Sequence, residues 1–220
     1  WATDAAVVDV CEHAHDDAIA ARASERLGVI LDSYTVYLDL WVADRDGNII
    51  ANGRPNEYRL KGVNISDQKW FQDALRCRDG GQYAVADVSR NSQLRDAATP
   101  TYATAVRKHG AAHGEVIGVM GVFFDWESQA PMIVKSLNFN DEERERTRVL
   151  LIDVDNRILA ASDDKGVLTE KFDLKVDDPA IGSYLLEDKS LVAYALTPGY
   201  ETYQGLGWRG VIVQAPKPVK

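Results

Sequence analysis

Two strand-like segments in the first half of this 220-residue sequence each carry an aromatic and an acidic residue on the same face. In the segment Gln82–Ser89, alternation puts four residues on one face: Tyr83, Val85, Asp87 and Ser89. In Val116–Asp125 it does the same for Val119, Gly121, Phe123 and Asp125. An aspartate among Val and Ala in mid-strand is costly, which favours a functional role for Asp87. Carboxylates only accept hydrogen bonds, so Asp87 and Asp125 suit a ligand that is rich in N–H groups or positively charged.

Aromatic side chains nearby suit the same kind of ligand. Trp70, Tyr83 and Phe123 offer flat surfaces for a planar ring or a cation. Trp70 also lies on an apolar stripe of a predicted helix, which is equally typical of a hydrophobic core. Asp125 is equally well placed to cap a helix that begins at Trp126. Tyr102 and Thr104 share one face of a further strand, and that face is directed either toward or away from the ligand.

The remaining polar clusters lack the spacing that metal or catalytic chemistry requires. His13 and His15 are two residues apart on a predicted helix, whereas paired helical ligands are three or four apart. Residues 44–48 resemble the start of a calcium loop, but Pro55 stands where the closing glutamate belongs. No phosphate-binding glycine loop, nucleophile elbow or zinc-spaced set of His and Cys is present. We therefore predict no metal, no cofactor and no enzymatic activity.

The composition indicates a folded, acidic protein. Hydrophobic residues make up 45% of the chain, enough for one large core or two cores of about 100 residues each. The net charge of −9 repels phosphate backbones, which argues against nucleic acid as a partner. No run approaches the ~18 apolar residues that span a bilayer. Because the chain begins at Trp1 without a signal peptide, we expect it to be part of a longer protein. Cys11 and Cys77 either form one disulfide or remain two thiols.

One hairpin pattern occurs twice: residues 42–51 recur as residues 151–160. Four pairs are identical, namely Asp44/Asp153, Asp46/Asp155, Ile49/Ile158 and Ala51/Ala160. Each copy predicts two apolar strands joined by an Asp-Gly or Asp-Asn turn that tolerates positive φ. A repeat at this wide spacing indicates two modules of one architecture in tandem rather than a short-period solenoid.

The first module is predicted to follow one long N-terminal helix, from about Thr3 to Leu31. The remaining patterns predict, in order, strands at Tyr34–Ala43 and Ile49–Asn52, a helix capped by Ser66, and strands at Gln82–Ser89, Thr101–Lys108 and Val116–Asp125. The polar segment Arg90–Thr99 is long enough to form a lid. A hairpin, a helix and three antiparallel strands indicate an α+β fold with the helix packed on a five-stranded sheet.

The second module is shorter. We predict a connecting helix over Glu127–Leu137, a charged joint over Asn138–Arg148, the repeated hairpin from about Val149, and strands within Gly182–Leu196 and Gly207–Gln214. Gly199–Trp208 is interpreted as a structural turn. The predicted domains are therefore an N-terminal helix (1–33), a first module (34–126), a connecting helix and joint (127–148) and a second module (149–220).

This order resembles the double Cache extracytoplasmic sensor domains of bacterial receptors, over essentially the whole chain. The resemblance is carried by the paired hairpins, the helix segment 67–71, the strand segment 118–122 and the segment 199–203. It implies two PAS-like antiparallel-sheet modules in tandem, with a small-molecule pocket in the membrane-distal first module. It also implies a location between two membrane helices, with a chemoreceptor, histidine kinase or cyclic-dinucleotide output domain. A weak homodimer through the N-terminal helix is implied as well.

Three positions depart from the amino-acid sensors of that family. Those sensors have an arginine and a tyrosine where this chain has Gln68 and Phe71, and an aspartate where it has Phe123. Without an arginine to bind a carboxylate, an amino acid ligand is disfavoured. The resemblance implies that the strand faces described above line the pocket. The expected ligand-binding residues are Trp70, Tyr83, Asp87, Ser89, Tyr102, Phe123 and Asp125.

The expected ligand of this pocket is a purine-like nitrogen heterocycle, with a biogenic or quaternary amine as the alternative. Two other classes of function stay open beside ligand sensing: an enzyme, which turnover of a small molecule would reveal, and a purely structural or adhesive domain, which would bind no metabolite. The expected location is the periplasmic or extracytoplasmic side of an inner membrane.

Overall fold

The computed structural model describes residues 1–199 and 205–217. Packing divides the chain into two compact units, Trp1–Glu127 and Ser128–Lys220. Each unit contains one five-stranded antiparallel sheet. The predicted α+β class, with two PAS-like modules in tandem, is therefore confirmed. Among the described residues, no helix combines the length and apolar character that crossing a membrane requires.

The first unit places helices on both faces of its sheet. Its helices are α1 (Ala5–Glu12), α2 (Asp17–Ser33) and α3 (Lys69–Leu75). Its strands are β1 (Tyr37–Asp44), β2 (Ile49–Asn52), β3 (Ala84–Asn91), β4 (Ala97–Arg107) and β5 (Val116–Phe124). The strand order is β2-β1-β5-β4-β3, so β5, the last strand in sequence, lies at the centre.

The second unit repeats this topology with fewer helices. Helix α4 (Trp126–Lys135) begins at the boundary and is followed by the short α5 (Asp141–Glu145). The strands are β6 (Thr147–Ile152), β7 (Ile158–Ala161), β8 (Ile181–Leu185), β9 (Leu191–Leu196) and β10 (Arg209–Gln214). Their order, β7-β6-β10-β9-β8, matches the first sheet strand for strand.

The two predicted hairpins fold alike down to their turns. Asp44 Oδ1 accepts hydrogen bonds from the N–H groups of Asp46 (3.0 Å) and Asn48 (2.9 Å). Asp153 Oδ1 accepts the equivalent pair from residues 155 and 157, both at 2.9 Å. Gly47 and its counterpart Asn156 both adopt positive φ, at 86° and 62°. The recurring aspartates are therefore the residues that shape each turn.

The predicted single N-terminal helix is divided into α1 and α2, which corrects that expectation. The carboxylate of Asp16 accepts hydrogen bonds from the N–H groups of Ala18 (2.9 Å) and Ile19 (3.0 Å) and so caps a new helix. An aspartate side chain competes with the helical backbone for these amides, which explains the break. Both helices are buried against the sheet on one side, where Val7, Val10 and Leu27 are fully buried.

Several other local expectations change. Ser66 does not cap α3, because Gln68 occupies the N-cap position and the Ser66 hydroxyl donates to Asn64 at 2.6 Å. The charged joint contains α5, which a reciprocal capping box between Asn140 and Glu143 stabilises. Within the Gly199–Trp208 turn, residues 200–204 lie outside the described residues.

The two cysteines are separate, buried thiols in the structure. Cys11 packs in the core beneath α1, and burial raises its pKa to about 12. Burial also raises the pKa of Cys77. Both side chains therefore remain protonated and poorly reactive near neutral pH.

Strand β5 separates two cores. Its residues Met120 and Val122 face α1 and α2, on what we call the outer face. Val119 and Phe123 face α3, on the inner face. Gly118 points to the outer side, where a Cβ would lie 2.5 Å from the carbonyl oxygen of Ala43 and 2.7 Å from Cys11 Sγ. Only glycine permits this approach of α1 to the sheet.

Replacing Gly118 by alanine is expected to lower the free energy of unfolding of the first unit by about 3 kcal/mol, because backbone atoms limit relaxation around the new methyl group. Gly210 on β10 is the matched control, since a Cβ there meets no atom within 4 Å. Gly210→Ala should leave stability unchanged or raise it by about 0.5 kcal/mol. Urea unfolding monitored by circular dichroism measures both variants, and equal losses would contradict this account of Gly118.

Candidate functional site

The inner face of the first unit is built around three aromatic rings. Trp41 on β1 packs on Phe123 with ring centroids 3.9 Å apart, and Trp70 on α3 meets Phe123 edge-on at 5.6 Å. All three are at most 8% exposed. Gly121 lies beneath them, and a Cβ there would come within 3.0 Å of the Phe123 ring and 3.3 Å of Trp70. The predicted residues Trp70 and Phe123 are thus brought into direct contact.

Small side chains continue this face beyond the aromatic cluster. Ala84 and Ala86 on β3 pack against the same core as Ala103 on β4. Antiparallel register sets Thr101 opposite Phe123, so the threonine shares the inner face. Thr101 is only 5% exposed, yet its hydroxyl makes no hydrogen bond to another residue in the described part of the chain. A hydroxyl that is not used by the protein is available to a ligand.

Thr101 was missed by the sequence analysis, which left the direction of β4 open. Tyr102 pairs with Val122, and its ring lies 5.2 Å from that of Phe124. Both neighbours belong to the outer face. The odd-numbered residues of β4 therefore point inward, toward α3. Thr101 is identified by the register between β4 and β5. This register is known only once the two strands are paired in three dimensions.

Tyr83 and Tyr102 consequently lie away from Trp70 and Phe123. Tyr83 precedes β3, and its ring is 6.1 Å from that of Tyr102. The outer face carries these rings in a series that continues through Phe124 to Tyr37, whose centroids are 4.8 Å apart. The expectation that both tyrosines line one cavity with Phe123 is corrected by this placement.

Strand β3 also departs from simple alternation at Asp87. Ala86 pairs with Thr101 and Ser89 with Thr99, so two residues, Asp87 and Val88, oppose one on β4. At this bulge Val88 is fully buried, Asp87 is half-buried and Ser89 is exposed. The carboxylate of Asp87 accepts a hydrogen bond from the Val88 N–H at 2.6 Å.

Asp125 follows directly after β5 and precedes the first residue of α4. Its N–H donates to the Val36 carbonyl at 2.9 Å, and its side chain is half-buried. It immediately precedes the first residue of α4, and both roles considered for it remain predictions. Gln68, where the amino-acid sensors have arginine, is exposed at the start of α3.

The predicted lid forms a tight hairpin tip over the inner face. Leu94 in its short 3-10 turn is fully buried with the aromatic cluster. Arg95, at φ 56°, donates to the Glu57 carbonyl at 3.1 Å and lies 5.5 Å above the Tyr58 ring. These exposed polar contacts are individually weak, since surface ion pairs contribute about 0–1 kcal/mol. The tip is therefore anchored mainly by the burial of Leu94, and the contacts of Arg95 add little.

A buried carboxylate that the sequence analysis overlooked supports the edge of this face. Asp39 on β1 is fully buried and accepts five hydrogen bonds. The donors are the Trp41 indole (3.1 Å), the Asn52 amide (2.8 Å) and the backbone N–H groups of Leu40 (2.9 Å), Gly53 (3.0 Å) and Arg54 (3.1 Å). Burial raises the pKa of Asp39, and the hydrogen bonds oppose this shift. The network fixes the Trp41 ring on which Phe123 packs.

Replacing Asp39 by alanine is expected to lower the free energy of unfolding by about 4 kcal/mol, because five donors lose their acceptor inside the protein. Asp39→Asn retains one acceptor oxygen and should lose about half as much. Asp32→Ala on the exposed side of α2 serves as the control and should change stability by less than about 0.5 kcal/mol. Chemical denaturation measures all three, and a loss below 1 kcal/mol in Asp39→Ala would contradict the structural role.

The inner face therefore combines a cluster of three buried aromatic rings with the Thr101 hydroxyl, while Asp87 lies in the β3 bulge beside this face. These groups suit recognition of a planar or cationic molecule. Within residues 1–199 and 205–217, no group of three or more His, Cys, Asp or Glu side chains is arranged to hold a metal ion.

Comparison with known proteins relates this architecture to bacterial sensor domains. No protein-family model matches the sequence, and no curated protein does either. Among solved structures, the sensor domain of the V. cholerae histidine kinase DctB superposes with a TM-score of 0.68 at 15% identity, covering 99% of this chain and 86% of that one.

Two chemoreceptor ligand-binding domains are similar as well. That of Campylobacter jejuni Tlp3, solved with 4-methylisoleucine, has a TM-score of 0.64 at 17% identity and covers 100% of this chain and 84% of that one. That of Pseudomonas fluorescens CtaA, solved with L-alanine, has a TM-score of 0.61 at 15% identity, with coverages of 97% and 86%. The chain therefore has the fold of these sensor domains, the double Cache fold that the sequence resemblance predicts.

Proposed function

We propose that this chain is the extracytoplasmic ligand-sensing domain of a bacterial transmembrane receptor of the chemotaxis, two-component or cyclic-dinucleotide type. The observation that carries the proposal is the similarity of fold to sensor domains over almost the entire chain. The inner face of the first unit supports it, because aromatic rings, the Thr101 hydroxyl and the half-buried Asp87 are groups that can recognise a small polar metabolite.

A purine-like nitrogen heterocycle is the proposed ligand. Its ring stacks on flat aromatic surface of the kind that Trp70 and Phe123 present. Its N–H groups donate to the Asp87 carboxylate, which only accepts, while the Thr101 hydroxyl pairs with a ring nitrogen. The proposed site is therefore Trp70, Asp87, Thr101 and Phe123, with Asp125 at its margin. Ser89, exposed after the bulge, joins it only if β3 shifts on binding.

A small amine is the second candidate, since the same aromatic surfaces and carboxylate attract a cation. An α-amino acid is disfavoured, although Tlp3 and CtaA were solved with such ligands. No arginine stands at Gln68 to bind a carboxylate, and Phe123 replaces the acidic partner for an ammonium group. The departure in sequence thus separates this chain from those sensors by ligand chemistry.

Strand β5 offers a direct route from the ligand to the N-terminal helices. Phe123 faces the ligand side, and Gly118, five residues earlier on the same strand, contacts Cys11 of α1. Binding shifts the helices if the ligand prefers one position of β5 over another.

The test is a thermal-shift screen of the 220-residue chain against purines, amines, amino acids and organic acids, followed by calorimetry. A purine at a hundredfold excess over its dissociation constant should stabilise the chain by about 2.7 kcal/mol. Asp87→Asn keeps the size of the side chain but removes one acceptor and the charge, so it should weaken binding at least tenfold, or about 1.4 kcal/mol.

Asp32→Asn makes the same change of charge on the exposed surface of α2 and should bind as the unmodified chain does. Full binding by Asp87→Asn would place the ligand elsewhere. Preference for amino acids would overturn the ligand class but leave sensing in place, and turnover of any compound would favour an enzyme.

A further inference from the structure

A cavity lies entirely within the second unit. It has a volume of about 710 Å³ and is bounded by the end of α4, by α5 and the start of β6, and by the end of β10. A volume of this size accommodates a small metabolite. The function proposed above does not involve this cavity.

Basic side chains dominate the polar lining of this cavity. Arg144, Arg146, Arg148 and Lys135 line it, against only two acidic residues, Glu145 and Asp163. The chain as a whole carries a net charge of −9, so a basic cavity stands out against its surroundings. Two of these cations are already paired: Arg148 with Asp163 at 3.0 Å and Lys135 with Asp164 at 2.7 Å.

Arg144 and Arg146 have no such partner. No carboxylate among the described residues lies within 4.0 Å of either guanidinium. Arg146 is held in place by a hydrogen bond from one terminal nitrogen to the Ala215 carbonyl at 2.7 Å. Its Nε is buried and lacks any acceptor in the described part of the chain. A fixed guanidinium with an unused buried donor calls for an acceptor from outside the chain.

Apolar side chains make up a further part of the lining, beside the hydroxyl groups of Thr147, Ser162 and Ser190. Val134, Leu137, Phe139, Val149 and Val213 face the same space. A hydrated inorganic ion gains nothing from such a surface, whereas a molecule with an apolar body buries it favourably. The lining of the cavity therefore combines positive charge with apolar side chains.

We propose that this cavity is a second ligand site, which binds a small organic carboxylate through Arg144 and Arg146. The planar fork of a guanidinium matches a carboxylate in a bidentate arrangement. Glu145 and Asp163 at the rim oppose a dianionic phosphate more strongly than a monoanion, which favours the carboxylate. The hydrophobic body of the ligand lies against Leu137 and Phe139.

NMR and calorimetric titrations of the 220-residue chain with benzoate, acetate and inorganic phosphate test this proposal. Benzoate should bind more tightly than acetate, because it adds apolar contact, and phosphate should bind least. Shifts of arginine Nε–H resonances on addition of benzoate report engagement of the site directly. Arg144→Gln should weaken benzoate binding at least tenfold. Arg146→Lys keeps the positive charge but loses the planar guanidinium, so it should weaken benzoate binding comparably.

Arg22→Gln on the exposed surface of α2 is the matched control and should bind benzoate as the unmodified chain does. If the Arg146 variant fails to fold, Arg144→Gln decides the question, because that side chain is exposed. Asp87→Asn should leave benzoate binding unchanged, so this proposal can fail without affecting the site in the first unit. Absence of benzoate binding, binding insensitive to Arg144, or tighter binding of phosphate would each overturn the proposal.

Discussion

The central position of β5 in the first sheet is the constraint on which the rest of the first unit depends. Because side chains alternate along a strand, β5 supplies one core with Met120 and Val122 and the other with Val119 and Phe123. A glycine relieves crowding on each side. Gly118 admits α1, and Gly121 leaves space for the rings that pack above it. The N-terminal helices and the proposed ligand site therefore lie on opposite faces of one strand.

The second unit has the same sheet topology as the first but differs in its helices and polar groups. Its sheet has the same strand order, and Asp153 shapes its hairpin turn as Asp44 does in the first. It has no counterpart of α3 between its hairpin and its last three strands among the described residues. A buried guanidinium nitrogen without an acceptor among the described residues lies instead at Arg146, beside α5. The repeat therefore specifies the sheet and its turns, while the segments between the strands determine what each unit can bind.

The sequence was sufficient to predict the hairpins, the α+β class and the tandem arrangement, because turn residues and apolar alternation are local signals. The N-terminal helix was predicted as one because the capping role of Asp16 becomes apparent only with the geometry of its amide partners. Alternation shows which residues of a strand share a face, but not which face points toward α3. Tyr102 was therefore included among the predicted ligand-binding residues, and Thr101 was missed. It also assumes an unbroken strand, which the bulge at Asp87 violates. The buried network of Asp39 depends on residues far apart in sequence and left no local pattern.

The central claim is that a metabolite binds between α3 and the inner face of the first sheet. Hydrogen–deuterium exchange of the 220-residue chain, with and without the purine or amine that stabilises it most, tests this claim most directly. The account predicts slower exchange in α3 (Lys69–Leu75), in β4 (Ala97–Arg107) and in the hairpin tip at Arg95, with little change in β6–β10. Protection confined to the second unit, or exchange in α3 and β4 that is unchanged at saturating ligand, would contradict it.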